Sequence, residues 1–65
     1  MQVGQTVYTV NNVTNKVDSW EYAGALPTKD ELLLCLVNGK KMCHLPARCV
    51  FENEAEAKFI AGSYQ

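Results

Sequence analysis

Short segments rich in β-branched, aromatic and leucine residues, separated by turn signals, fill most of the chain, and helical spacing appears only near its end. The opening segment, Met1-Gln-Val-Gly-Gln-Thr-Val-Tyr-Thr-Val10, is rich in β-branched and aromatic residues with Gly4 near its start. It predicts a strand entered through a tight bend. Asn11-Asn12 supplies turn chemistry, because asparagine tolerates left-handed backbone angles. A second strand is expected over about 16–22, carrying Val17, Trp20 and Tyr22. Gly24 and Pro27 are read as its end, with a loop from Pro27 to Asp30.

The sharpest local pattern follows. Glu31-Leu-Leu-Leu-Cys-Leu-Val37 meets Lys40-Lys-Met-Cys-His-Leu45 across Asn38-Gly39, and Asn-Gly between apolar runs predicts a hairpin with a two-residue type I′ turn. That loop pairs Val37 with Lys40, Cys35 with Met42 and Leu33 with His44. Leu32, Leu34 and Leu36 then share a core-like face with Leu45, Cys43 and Lys41. Leu33, Cys35 and Val37 share the other, half-apolar face with His44, Met42 and Lys40. A second reading stays open: Thr28-Lys-Asp-Glu31 fits a capping box, so Leu32–Val37 could be a short helix stopped at Asn38-Gly39. The shortness of the run and the apolar stretch beyond the turn favour strands.

Pro46 is expected to end that strand and Arg48–Phe51 to form a brief last one. Asn53 then reads as an N-cap with Glu56 as its box partner, opening a helix over roughly 54–61. Glu54 and Glu56 suit the positive end of the helix dipole, and Glu54 is placed to pair with Lys58. Ala57, Phe59, Ile60 and Ala61 are the expected buried stripe, with Gly62 as the stop.

Composition sets the limits. With 65 residues the chain has material for one domain, and a domain of this size buries only about 60% of the surface its unfolded chain exposes. The longest uninterrupted apolar run, Leu32–Val37, is far short of the roughly 20 residues that span a bilayer. No charged segment with a following apolar stretch opens the chain, so we expect no signal peptide, and a cytoplasmic location. Six basic against seven acidic residues give no general attraction to nucleic acid or anionic lipid. In a reducing compartment the odd cysteine count predicts free, mostly buried thiols.

Val3-Gly4-Gln5-Thr6-Val7-Tyr8 is similar to the V-G-D-x-V-Y opening of small SH3-like (KOW-type) barrel proteins of bacteria and phages. Cys49-Val-Phe-Glu-Asn-Glu-Ala-Glu-Ala57 is similar to their V-F-x-T-x-E-E-A ending. The resemblance implies an SH3-like barrel of four to five strands with a short C-terminal α-helix, in which the valines flanking Gly4 pack inside. It also implies a phage-encoded or accessory protein that modulates a larger host protein. The motifs carry no catalytic residue.

Cys35, Cys43, His44 and Cys49 supply the residue types of a Cys₃His zinc site, but their spacing, C-x7-C-H-x4-C, lacks the C-x-x-C knuckle. Neighbours on a strand also point to opposite faces, which separates Cys43 from His44. We therefore expect no metal, no cofactor and no Cys–His nucleophile. No Gly-rich phosphate loop or recognisable carboxylate pair suggests an enzyme either.

The chemistry that is left belongs to binding. Trp20 and Tyr22 alternate with Glu21 on one strand, and Tyr8 lies on the strand before. Exposed aromatics of this kind grip peptides or stack nucleobases, although the only tryptophan of so small a domain is equally suited to its core. Asp18 and Glu21 favour a protein partner over a phosphate backbone. We expect a non-enzymatic protein-binding module using Tyr8, Asp18, Trp20, Glu21 and Tyr22. The alternative is a nucleic-acid-binding module using Lys40, Lys41 and Arg48, the basic residues around His44.

Overall fold

The structure, a computed structural model, describes residues 1–63. It is mainly β, as expected: strands β1 (Thr6–Asn11), β2 (Lys16–Pro27), β3 (Leu32–Asn38) and β4 (Lys41–Pro46), one 3₁₀ turn (Ala47–Cys49) and a helix α1 (Glu54–Ser63). The strands form one antiparallel sheet in chain order. The sheet is open. One antiparallel bridge leads from the segment after β4 back to β1, where Tyr8 and Phe51 exchange backbone N–H···O bonds of 2.8 Å in both directions.

The N-terminal bend is where the glycine predicts it. Gly4 has φ +94°, and the Gln5 N–H donates to the Gln2 carbonyl across the turn. Strand β1 therefore begins only at Thr6, and the turn leaves Val3 73% exposed rather than packed inside. Val7, the other flanking valine, is fully buried. At the far end of β1 the Asn11 side chain accepts from the Val13 and Thr14 N–H groups, and the left-handed residue is Asn15, φ 57°.

Strand β2 is longer than its punctuation suggests. Gly24 does not end it: the register slips by one residue between Tyr22 and Gly24, so Ala23 is the extra residue of a β-bulge and Gly24 supplies its φ of +144°. Pro27 sits at the strand's last position, opposite Leu32. Pairing with β1 occupies Lys16–Glu21 and pairing with β3 occupies Glu21–Pro27, so β2 passes from one neighbour to the other at Glu21.

Residues 32–37 are strand, which decides the open choice between hairpin and helix. The Thr28 hydroxyl does accept the Glu31 N–H, as in a capping box, but it also donates back to the Glu31 carbonyl. That closed turn launches β3 instead of a helix. The β3–β4 register differs from the expected one by two residues: the closing pair is Asn38–Lys41 and the loop is Gly39-Lys40. Gly39 has φ +61° and Lys40 is not left-handed, the pattern of a type II′ turn with glycine first. The Asn38 amide is used elsewhere, donating to the Ser19 carbonyl at 3.2 Å. A shift of two leaves every residue on its expected face.

Val7, Tyr22, Leu34, Leu36 and Val50 form the core, with Trp20, Cys43 and Leu45 packed against it. Val50 reaches the core because Pro46 and the 3₁₀ turn redirect the chain; the expected last strand over Arg48–Phe51 is reduced to that turn and the Phe51 bridge. Asn53 caps α1, accepting the Ala55 N–H at 2.7 Å, and Glu54 pairs with Lys58 at 3.1 Å. Ala57 and Ala61 are buried, one turn apart. Phe59, two positions from Ala57 and therefore off that face, is 76% exposed and does not belong to the stripe. Gly62 lies within the helix rather than stopping it. No helix among the described residues is long and apolar enough to cross a membrane.

Candidate functional site

Strand β2 leaves β3 beyond Glu21, and the space this opens becomes a recess. It is lined by Thr6, Ser19, Trp20, Glu21, Val37, Asn38 and Gly39 and encloses about 280 Å³, open to solvent. Trp20 pairs with Val7 across β1–β2 and so lies on the core side, where its ring is half-buried. Its indole N–H donates to the Thr9 hydroxyl at 2.9 Å. Thr9 is the one polar residue buried among the described residues, and this bond satisfies both groups. The ring is thereby fixed, part in the core and part on the recess wall.

The expected aromatic face divides. Tyr22 is buried in the core and offers little surface. Tyr8 pairs with Ser19, so it projects from the face opposite Trp20 and Tyr22. Asp18 shares Trp20's face two positions earlier but does not line the recess, whereas Glu21, paired with Thr6, lies on Tyr8's face and meets Trp20 only where both line the recess. Both carboxylates are exposed, and neither has an ion-pair or hydrogen-bond partner among the described residues.

The basic residues do not gather into one patch. Lys40 and Lys41 sit at the hairpin tip, and Arg48 follows the other end of β4, roughly 17 Å of strand away. Arg48 is bound to Glu31 by a hydrogen bond and ion pair, which raises its pKa further and offsets its charge.

All three thiols are free, though less buried than expected: Cys35 and Cys43 are half-buried and Cys49 is exposed. Cys43, on the core face opposite Leu36, has its pKa raised by burial. Cys43 and His44 lie on opposite faces. The observed register instead sets Cys35 directly across from His44, a neighbour relation that the expected pairing of Cys35 with Met42 missed by two residues. Only the register, which Asn38 helps to fix, could have revealed it.

No family model, curated protein or solved structure matches the chain.

Proposed function

We propose that this domain is a non-enzymatic protein-binding module that occupies a surface on a larger partner, with Trp20, Glu21 and Asp18 at the centre of its contact. The observation that carries the reading is the half-exposed Trp20 ring, held by Thr9, with one carboxylate on its own strand face (Asp18) and one sharing its recess (Glu21), neither with a partner among the described residues. A fixed aromatic surface loses little entropy on binding, and tryptophan is enriched among the residues that dominate interface energetics. Unpaired acids next to it favour a basic protein segment and disfavour phosphate. An open recess of about 280 Å³ suits a partner's side chain better than a sequestered substrate. A standard interface takes about 800 Å² from each partner, about a sixth of the 4672 Å² this chain exposes.

The test is affinity capture of the partner with the wild-type domain and with Glu21→Arg, a change at an exposed position. Capture of one defined protein, lost with Glu21→Arg while the circular dichroism spectrum is retained, supports the reading. Unchanged capture by that variant overturns the site. Binding to a labelled oligonucleotide that requires Lys40 and Lys41 and falls steeply with salt would replace the reading with nucleic-acid recognition.

A further inference from the structure

The outer face of the β3–β4 hairpin presents two soft sulfur donors and an imidazole side by side, and we propose that Cys35, His44 and Met42 form a binding site for a monovalent thiophilic metal ion of the Cu(I) class. The proposal does not depend on the Trp20 recess, which is built by other residues.

Placement comes first. Cys35 and His44 are direct cross-strand partners, and Met42 pairs with Val37 two rungs along, beyond Leu36–Cys43. Met42 and His44 are two positions apart on β4, so both project from the same face as Cys35. Directly opposed residues have Cβ atoms about 5 Å apart and diagonal ones about 7–8 Å. A thiolate and an imidazole at the first spacing can share an ion with metal–ligand bonds of about 2.0–2.3 Å. The unbranched methionine, with three rotatable bonds, spans the second.

Access comes next. On its other side Cys35 is paired with Gly24, the bulge glycine. Gly24 has no side chain, and a Cβ placed there would meet nothing within 4 Å, so that residue puts nothing over Cys35. His44 is exposed, and Met42 is 68% exposed, unusual for so apolar a side chain. None of the three side chains has a hydrogen-bond or ion-pair partner among the described residues. Lys41, the nearest cation along the strand, belongs to the opposite face with Cys43.

The donor set selects the ion. The thiolate and the thioether are soft ligands of the kind that select Cu(I), and imidazole also binds copper, whereas structural zinc takes four ligands, usually cysteine and histidine. On binding, the Cys35 S–H bond breaks, its proton passes to solvent and a sulfur–metal bond forms. The ion stays monovalent, no electrons are transferred, and thiolate and cation together are neutral.

Ag(I) is the redox-inert probe. It is titrated into the full chain carrying Cys49→Ser, which removes the exposed thiol, while the methionine methyl and histidine ring signals are followed by NMR. The proposal expects saturation at one ion per chain, with shifts of the Met42 methyl and the His44 ring and none of the Met1 methyl. Cys35→Ser in the same background should abolish those shifts, and Met42→Leu should weaken binding while leaving the His44 shift. Met42 and His44 signals that do not move, or binding that survives Cys35→Ser, would overturn it. Retention of the folded spectrum by each variant separates loss of the site from loss of the fold.

Discussion

On its inner side the sheet presents Val7, Tyr22, Leu34 and Leu36, and Val50 from the segment after β4 packs onto them. On its outer side the β3–β4 hairpin presents Leu33, Cys35 and Val37 opposite Pro46, His44 and Met42. Both faces of the hairpin draw on the same apolar run of β3 and the apolar residues of β4, yet Leu36 is fully buried and Met42 largely exposed. Hydrophobicity does not separate them. The difference is what the chain does next: Pro46 and the 3₁₀ turn carry Val50 to the inner side, while α1 makes its main contacts with β1 and β2 and leaves β3–β4 aside. In a chain this short, one return segment and one helix can cover only part of the sheet.

The strongest way to break that comparison is truncation on each face. Leu36→Ala should destabilise the domain by about 3 kcal/mol, the transfer and cavity cost of a buried leucine. Met42→Ala, removing an exposed side chain of similar size, should cost less than about 0.5 kcal/mol. Urea unfolding of the two variants checks both; equal losses would mean that the outer face is covered in solution.

How far these faces could be read in advance depends on the kind of information each feature needs. Face membership was legible, because period two and an Asn-Gly turn signal assign Leu34, Leu36 and Cys43 to one side whether the loop is Asn38-Gly39 or Gly39-Lys40. Exact pairing was not, because the Asn38 amide bonds to Ser19, nineteen residues away, and lets the turn settle on Gly39-Lys40. Gly24 punctuates the sequence like a strand end, but pairing with β3 before and after it carries β2 through it as a bulge. The helix was legible from its cap and its Glu54–Lys58 pair. Its stripe was over-read at Phe59, which the 3.6-residue period places away from Ala57 and Ala61. At the recess, Trp20 and Glu21 could be singled out from the sequence, and both line it, whereas the position of Tyr8 on the other face required the β1–β2 register.

The turn itself sharpens the comparison. Gly39→Val forces a β-branched residue to φ +61°, a conformation costing about 1–2 kcal/mol for residues with a Cβ. The expected result in urea is a loss of that size, while methyl nuclear Overhauser contacts still place Leu36 beside Cys43. A smaller effect comes from the polar atom under the inner face. Thr9→Val keeps the volume but removes the acceptor of the Trp20 indole N–H, and should cost about 1 kcal/mol. Tryptophan fluorescence should show a more mobile ring, and an unchanged stability would mean that solvent already serves the indole.

The smallest effect separates the faces by the titration of their thiols. Cys43 lies on the inner face, and burial raises its pKa above that of an unfolded thiol, about 8.5. Burial disfavours the charged thiolate, so the folded chain holds this proton more tightly than the unfolded one. The resulting stabilisation is complete below the unfolded pKa and is lost as pH rises through the folded one. The melting temperature should therefore fall more between neutral pH and mildly alkaline pH in the wild type than in Cys43→Val, in which the titrating group is gone. Subtracting the two profiles removes the contributions of lysine and tyrosine. The same burial predicts the order of alkylation under native conditions, followed by peptide mass spectrometry: Cys49 first because it is exposed, Cys35 next because Gly24 puts no side chain over it, and Cys43 last. If Cys43 reacted ahead of Cys35, or Cys43→Val left the alkaline slope unchanged, the inner face would be less closed than its packing against Leu36 requires.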